Sequence, residues 1–165
     1  MTTDTPVPIP VRLDLDAHSP GLMRAVSHLD HAVTRQLDDA GIDRNLRELL
    51  KVRVSQINGC AYCVDMHSKD ARAGGEEEHR LRALAVWREA PFFTAGERAA
   101  LGFVETVAAM ATSHVPDEAF EAVSEHYSAD EVAALTGLVL VITAWNTIGV
   151  TTRMWEVGSY QPAAR

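Results

Sequence analysis

The chain has 165 residues, enough for a single domain with a full hydrophobic core that needs no disulfide or metal for its stability. Its composition, 47% hydrophobic and 23% charged, is that of an ordinary soluble globular protein. The 23 Asp and Glu outnumber the 15 Lys and Arg and give a formal net charge of -8, which argues against a nucleic-acid-binding or anionic membrane-binding surface.

The N-terminal segment carries prolines at positions 6, 8 and 10, which predict an extended arm over residues 1–18. It lacks the basic start and continuous apolar run of a secretory signal. The longest apolar stretch, around residues 133–145, is interrupted by two threonines and a glycine and falls short of the roughly 18 residues of a membrane span. We therefore expect a cytoplasmic protein, where two closely spaced cysteines are more often catalytic or metal-binding than structural.

The first predicted helix begins at Pro20, because proline is favoured in the first helical turn, and ends near Gly41. Its apolar positions recur at spacings of three and four residues: Leu22, Val26, Leu29, Val33 and Leu37. His28 and His31 lie beside this stripe, and we expect them to be solvated surface residues.

The second predicted helix is capped by Asp43 and carries Glu48 within an otherwise apolar surface. Asn58-Gly59 breaks this helix, and the chain enters a third helix over residues 60–73. Cys60 then falls in the first turn, where the positive end of the helix dipole favours a thiolate.

The rest of the chain predicts further helices. Paired glycines at 74 and 75 end the third helix, and residues 76–89 form the next one. Later helices begin at Pro116 and at two capping boxes, Thr94-x-x-Glu97 and Ser128-x-x-Glu131. Strand signals are absent apart from a β-rich run at 138–142, which lies inside a helical frame. The predicted fold is all-α.

The last predicted helix, from about residue 130 to 153, is long and apolar. Such a helix must be buried on most sides within a small domain, or complete its burial against another subunit. We therefore expect a homo-oligomer. The predicted organisation is an arm over 1–18, a helical domain over 19–155 and a C-terminal tail over 156–165.

The stretch from Asn58 to His67 holds both cysteines of the chain and a histidine at helical spacing from them. If it is helical, Cys60, Cys63 and His67 share one face. As a redox pair, one thiolate would attack an oxidant and the second thiol would close a disulfide. His67 can take the thiol proton, and Glu48 on the preceding helix can orient His67 or a water.

Two other interpretations of these residues stay open. Zinc binding by Cys60, Cys63 and His67 would need a fourth ligand, Glu48 or a distant histidine, because there is no second Cys-x-x-Cys. Alternatively, both cysteines are small buried hydrophobes and His67 is a hydrogen-bonded core residue. Several aromatic residues could wall a substrate pocket, although such residues are more often core: Trp87, Phe92, Phe93, Trp145 and Trp155.

The spacing of Glu48, Cys60-x-x-Cys63 and His67 resembles the signature of the AhpD-like alkyl hydroperoxidases in the carboxymuconolactone decarboxylase superfamily. Surrounding segments are similar across roughly residues 20–155: Leu49-Leu50-Lys51, Asn58-Gly-Cys-Ala-Tyr-Cys63, His67-x-x-x-Ala71, Trp87-Arg-Glu-Ala-Pro-Phe-Phe-Thr94, Glu97-Arg-Ala-Ala-Leu101 and Trp145-Asn146. The resemblance implies an AhpD-like bundle of about six to eight helices that assembles into homo-oligomers.

The resemblance also implies a role for each matched residue. Cys63 would be the peroxidatic nucleophile, Cys60 the resolving thiol, and His67 with Glu48 the proton relay. Members of the decarboxylase branch lack the cysteine pair, so its presence favours thiol peroxidase chemistry. One position departs from the pattern: the founding hydroperoxidase has a histidine between the cysteines, where this chain has Tyr62. Part of the relay is then missing or is replaced by the phenol.

The sequence therefore predicts a thiol peroxidase that reduces organic hydroperoxides or hydrogen peroxide through a Cys60–Cys63 disulfide, without metal, haem or flavin. The resemblance implies a lipoylated or thioredoxin-like protein as electron donor. The alternatives are a lyase acting on a small carboxylated lactone, with incidental cysteines, and a non-enzymatic redox sensor or zinc-bound module.

Overall fold

The computed structural model of the protein describes residues 7–162. Within that range the chain forms nine α-helices, one 3-10 helix and no strand, which confirms the all-α prediction. The α-helices are α1 Leu15–His18, α2 Pro20–Asp39, α3 Arg44–Asn58, α4 Ala61–Ala73, α5 Glu78–Ala83, α6 Ala95–Ala108, α7 Met110–Ser113, α8 Asp117–Ser124 and α9 Ala129–Thr152; the 3-10 helix Leu84–Glu89 follows α5. The count exceeds the expected six to eight because α1 and α7 are single turns.

The core is built around α3 and α9. Helix α3 packs against α4, α6 and α9, and α9 packs in addition against α2 and α6. Fully buried aliphatic side chains lie on these helices: Leu49, Leu50, Val54, Leu101, Leu135 and Leu138. The stripe predicted for α2 is wrong at Leu22 and Leu29, which are exposed, whereas Met23 is buried. Packing against α9 therefore selects a helical face rotated slightly from the predicted one.

Helix α9 corrects the prediction that the apolar stretch is too short for a membrane span. Residues 132–152 carry no charged side chain, and α9 is long and apolar enough to cross a membrane by length and composition. Half of its most apolar window is nevertheless buried inside the structure, as in the central helix of a globular domain. The β-rich run at 138–142 is helical, as expected.

The region predicted as one helix over residues 76–89 is divided in the structure. Helix α5 ends after six residues, and the following 3-10 helix contains a non-helical Val86. This change of path buries Trp87, whose indole Nε1 donates to Glu105 Oε1 at 2.9 Å. The guanidinium of Arg98 donates to the backbone carbonyls of Trp87, Arg88 and Ala90, and the Trp87 carbonyl also accepts from the Ala90 amide. Both partners come from α6, so the local sequence does not reveal them.

The two ends of the described chain pack against its helices. Residues 7–14 have no regular structure, and the amides of Arg12 and Leu13 donate to the Thr152 carbonyl at 2.8 and 3.2 Å. The predicted extended arm ends earlier than residue 18, because Asp14 caps the single turn α1. After α9, Lys69 of α4 donates to the carbonyls of Gly158 and Tyr160. The arm residues 1–6 and the tail residues 163–165 lie outside the described residues.

Candidate active site

The junction of α3 and α4 places Cys60 at a helix N-terminus. Gly59 adopts a left-handed conformation, with φ of 72°, and allows the chain to turn between the two helices. Cys60 is the N-cap of α4, one residue before the position expected from the sequence, and its Sγ accepts from the Cys63 amide at 3.3 Å. The positive end of the α4 dipole therefore lies at the cysteine pair.

A hydrogen-bonded chain of polar side chains joins this junction to α9. Asn58 donates to the Asn146 side-chain oxygen, and Asn146 donates to Ser55 Oγ, both at 3.0 Å. The Cys60 amide donates to the Ser55 carbonyl, also at 3.0 Å. Asn146 is 1% exposed, so these bonds are shielded from competing water. They fix the position of the cysteine turn against the central helix.

The two cysteines form a disulfide, with their Cα atoms 5.3 Å apart. Both residues are 2% exposed, and His67, one helical turn beyond Cys63, is also buried. A buried Cys-x-x-Cys disulfide with an adjacent base can exist in an oxidised and a reduced form, the property that thiol redox chemistry requires.

Glu48 forms an ion-paired cluster with His67 and Lys51. Glu48 Oε2 lies 2.7 Å from His67 Nδ1, and Glu48 Oε1 accepts from Lys51 Nζ at 3.0 Å. Burial acts to raise the pKa of Glu48, but the hydrogen bond from His67 and the charge of Lys51 outweigh it and lower that pKa to about 2. The carboxylate therefore stays charged, and it holds the imidazole so that Nε2 is the ring nitrogen left for Cys63.

The structure thus brings together all four predicted site residues, Cys60, Cys63, His67 and Glu48. It also places Asp70 beside them: donor atoms of Glu48, His67 and Asp70 all lie within 4.8 Å of one another. Such a group can bind a metal ion, but Lys51 already pairs with Glu48, and the Tyr160 hydroxyl donates to Asp70 Oδ1 at 2.8 Å. Burial and the adjacent Asp70 carboxylate raise the pKa of Tyr160 to about 12, so the phenol keeps its proton.

Cys63 and His67 open into a cavity of about 290 Å³. Its wall is mainly apolar and aromatic, with one carboxylate and one ammonium group: Tyr62, Met66, Val141, Ile142, Trp145, Trp155, Asp30 and Lys51. Trp145 donates to Asp30 Oδ2 at 3.1 Å and meets Trp155 edge to face, with ring centroids 6.0 Å apart. Of the five aromatic residues considered from the sequence, these two line the cavity, Trp87 and Phe93 belong to the core, and Phe92 is exposed.

Tyr62 contributes its ring to this wall. The ring stacks on Trp155 with centroids 5.3 Å apart, and the hydroxyl forms no hydrogen bond to any of residues 7–162. Sequence reasoning missed Trp155 as a partner because it lies some 90 positions away in the chain. Only the family resemblance pointed to Lys51, because a lysine on an amphipathic helix does not by itself indicate a functional site.

An all-helical fold with Cys-x-x-Cys at the start of one helix, and a glutamate–histidine pair beside it, defines an AhpD-like core. The chain belongs to the carboxymuconolactone decarboxylase family, whose family model matches residues 20–106. This membership confirms the resemblance noted from the sequence.

Individual relatives agree with this assignment. The uncharacterized protein YdfG of Bacillus subtilis (strain 168) is 42% identical over 111 residues, 67% of this chain and 76% of YdfG. The fold is similar to that of ATU0492 from Agrobacterium tumefaciens, a protein of unknown function described as a candidate antioxidant defence protein AhpD; the TM-score is 0.81, with 37% identity over 94% of this chain and 100% of that one. It is also similar to the alkylhydroperoxidase AhpD core of an uncharacterized peroxidase-related protein from Ralstonia eutropha JMP134, with a TM-score of 0.73 and 27% identity over 85% and 73% of the two chains.

Proposed function

We propose that the protein is a cytoplasmic thiol peroxidase that reduces small organic hydroperoxides through a Cys60–Cys63 disulfide. The observation that carries the proposal is that Cys63 and His67 face one cavity, while Glu48 holds the other nitrogen of the imidazole. A buried dithiol with an oriented base beside an apolar cavity suits a reaction that consumes an organic peroxide and returns an alcohol.

The reaction has two steps on the enzyme. In the first, His67 takes the proton of Cys63, and the thiolate attacks the terminal oxygen of the hydroperoxide. The O–O bond breaks, Cys63 becomes a sulfenic acid, and the alkoxide leaves as an alcohol with the proton from His67. In the second, Cys60 attacks the Cys63 sulfur, water leaves, and the disulfide forms. A thiol donor must supply two electrons to complete the cycle, and the family resemblance suggests a lipoylated or thioredoxin-like protein.

The size and lining of the cavity favour compact, apolar peroxides. A volume of about 290 Å³ lies at the lower end of the range of small-molecule sites. Aromatic rings from Tyr62, Trp145 and Trp155 would contact the organic group of the substrate. We therefore expect cumene hydroperoxide to react faster than hydrogen peroxide, because only the former gains contacts with these rings.

The test is the intact mass of the reduced, metal-free protein before and after one equivalent of cumene hydroperoxide, quenched with a thiol-alkylating reagent. Loss of both alkylatable thiols together with consumption of the peroxide would support the proposal. Cys60→Ser should stop at a sulfenic acid on Cys63, and Cys63→Ser should leave the peroxide intact. If the wild-type protein keeps both thiols and the peroxide survives, the peroxidase function is ruled out.

A further inference from the structure

Two spaces adjoin at the disulfide, and an aromatic pair separates them. The cavity of about 290 Å³ is lined by Cys63, and a neighbouring groove of about 850 Å³ is lined by Cys60. Exposed aliphatic side chains from the N-terminal arm, from α9 and from the segment after it also line the groove: Val7, Ile9, Val11, Val150 and Val157. In the part of the chain that the structure describes, only Tyr62 and Trp155 line both spaces. These two rings are therefore the wall between the cavity and the groove.

The indole of Trp155 is the part of this wall that does not belong to the cysteine helix. Helix α9 ends at Arg153, whose left-handed conformation, with φ of 53°, turns the chain back over α4. The indole then stacks on Tyr62 with centroids 5.3 Å apart and meets Trp145 edge to face at 6.0 Å. It also packs on α9 at Gly149, where an added Cβ would lie 3.4 Å from the ring. The closure of the wall therefore depends on a segment distant in sequence from the cysteines.

The segment that carries this indole is fastened to the outer side of α4. Residues 154–162, called the strap below, have two backbone carbonyls that accept from Lys69 Nζ, those of Gly158 at 3.2 Å and Tyr160 at 3.0 Å. Asp65 Oδ2 accepts from the Gly158 amide at 3.2 Å and pairs with Lys69 at 2.8 Å. One ion pair on α4 thus binds the strap on both its donor and its acceptor groups.

We propose that Trp155 sets the upper size limit of the hydroperoxide by closing the cavity against the groove. The inference rests on the proposed function, because it defines which hydroperoxides the same site admits. With the indole in place, a molecule that reaches Cys63 must fit the smaller space, which is at the lower end of small-molecule sites. Without the indole, the two spaces become one, and the aliphatic lining of the groove can hold a long hydrocarbon chain.

The first test measures access to Cys63 and uses no peroxide. In the reduced Cys60→Ser protein Cys63 is the only thiol, and serine keeps a good N-cap for α4. Its alkylation rate is measured with iodoacetamide and with the bulky N-(1-pyrenyl)maleimide. Adding Trp155→Ala should raise the ratio of the bulky to the small reagent about tenfold, and Trp155→Phe should raise it less. Val157→Ala is the control, because Val157 lines the groove but not the cavity, and it should keep the ratio. An unchanged ratio in Trp155→Ala would overturn the inference.

The second test compares two hydroperoxides on the reduced protein with both cysteines present. In a single turnover, the wild type should consume cumene hydroperoxide faster than linoleic acid hydroperoxide. Trp155→Ala should narrow this difference about tenfold. The ratio of the two rates is the informative quantity, because a general loss of packing slows both reactions. Equal rates in the wild type, or the same ratio in Trp155→Ala, would contradict a size limit at this residue.

Lys69 tests whether the strap holds the indole in place. Lys69→Met keeps the length of the side chain but removes its bonds to the strap, and it leaves Trp155 unchanged. In the single-cysteine protein it should raise the alkylation ratio about threefold. Arg72→Met is the matched control, because it removes a cation that is 61% exposed on the same helix, and it should keep the ratio. This comparison decides the question even if Trp155→Ala does not fold. A Lys69→Met protein that protects Cys63 as well as the control does would exclude this role of the strap.

The two tests separate this inference from the proposed function. If Trp155→Ala exposes Cys63 to the bulky reagent in a protein that consumes neither hydroperoxide, the proposed function is overturned and the role of Trp155 stands. If both hydroperoxides are consumed at a ratio that Trp155→Ala does not change, the proposed function stands and the role of Trp155 is overturned.

Discussion

Glu48 is a charged residue in a position where burial opposes the charge. Its side chain is 18% exposed, yet the partners His67 and Lys51 lower its pKa from the ordinary 4.5 to about 2. A carboxyl group whose pKa is lower in the folded than in the unfolded state stabilises the fold at pH values above its unfolded-state pKa. This stabilisation is lost as the pH falls toward the folded-state pKa. The pKa difference corresponds to about 3 kcal/mol.

We therefore predict that Glu48→Gln removes part of the pH dependence of stability. The free energy of unfolding of the wild type should fall by about 3 kcal/mol more than that of the variant between pH 5 and pH 2. Urea denaturation at a series of pH values measures both curves. Glu89→Gln, an exposed glutamate on the 3-10 helix, is the matched control and should follow the wild type. Parallel curves for the wild type and Glu48→Gln would show that the Glu48 carboxylate contributes no pH-dependent stability.

Gly149 provides a second prediction at the scale of single residues. An added Cβ would contact Cys60 Sγ at 2.9 Å, so Gly149→Ala should destabilise the oxidised protein by about 1–3 kcal/mol through overpacking. The reduced protein should lose less, because the free Cys60 side chain can rotate away. Gly102→Ala is the control: its new Cβ meets no atom closer than 3.9 Å, and alanine in a helix should add about 0.5–1 kcal/mol. Urea unfolding with and without reductant measures these differences. If Gly149→Ala left the free energy of unfolding of the oxidised protein unchanged, the close contact would be contradicted.

At the scale of elements, Arg98 of α6 stabilises the 3-10 helix from outside. Its guanidinium donates to three backbone carbonyls, at distances of 3.0, 3.2 and 2.7 Å. Arg98→Met keeps much of the aliphatic stem but removes the guanidinium that donates to the Arg88 and Ala90 carbonyls, while the Trp87 carbonyl keeps its bond from the Ala90 amide. We expect a loss of about 2 kcal/mol in the free energy of unfolding, measured by urea denaturation. Arg82→Met on α5, whose side chain is 73% exposed, should change stability by less than about 0.5 kcal/mol. Similar values for the two variants would argue against this role of Arg98.

The helices that were predicted correctly begin at capping residues that can be read from the local sequence. Asp43 caps α3, and the capping boxes at Thr94 and Ser128 begin α6 and α9 as expected. The 3-10 helix was missed because Arg98 and Glu105, which hold it, lie on another helix. Cys60 was placed one residue inside α4 because a cysteine is not a usual N-cap.

The residues of the candidate site likewise divide into those that the sequence predicted and those that it did not. Cys60, Cys63 and His67 were grouped by helical spacing, and Glu48 was added by its spacing on the preceding helix and by the resemblance. Gly149 could not be found, and Trp155 was considered only as one of several aromatic residues that could wall a pocket, because both reach the cysteines only through the packing of α9 and of the segment after it. Neither a glycine within a helix nor a tryptophan near the end of the chain has a sequence pattern that points to a distant disulfide.

At the scale of the whole molecule, the outer face of α9 is unusual for an exposed helix. The residues along this face recur at spacings of three and four and include no charged side chain: Ala133, Thr136, Leu140, Thr143, Thr147 and Val150. Leu140, near the middle, is 55% exposed, and Thr143 Oγ1 is buried without a hydrogen-bond partner among the described residues. Exposed helices of monomeric proteins normally carry charged residues on such a face. We propose that this face is buried between copies of the chain.

The protein should accordingly be a homo-oligomer in solution, and Leu140→Glu should shift it toward the monomer. A charge introduced at the centre of the uncharged face would have to be desolvated without a partner, which opposes association. Size-exclusion chromatography with multi-angle light scattering gives the mass of each species, and the helical content measured by circular dichroism checks that the variant is folded. Val86→Glu is the matched control, because Val86 is 62% exposed on the 3-10 helix, away from α9, and should keep the wild-type mass. A monomeric wild type, or a folded Leu140→Glu variant with the wild-type mass, would show that this face does not associate. A loss of association in Val86→Glu alone would move the interface to the region around the 3-10 helix.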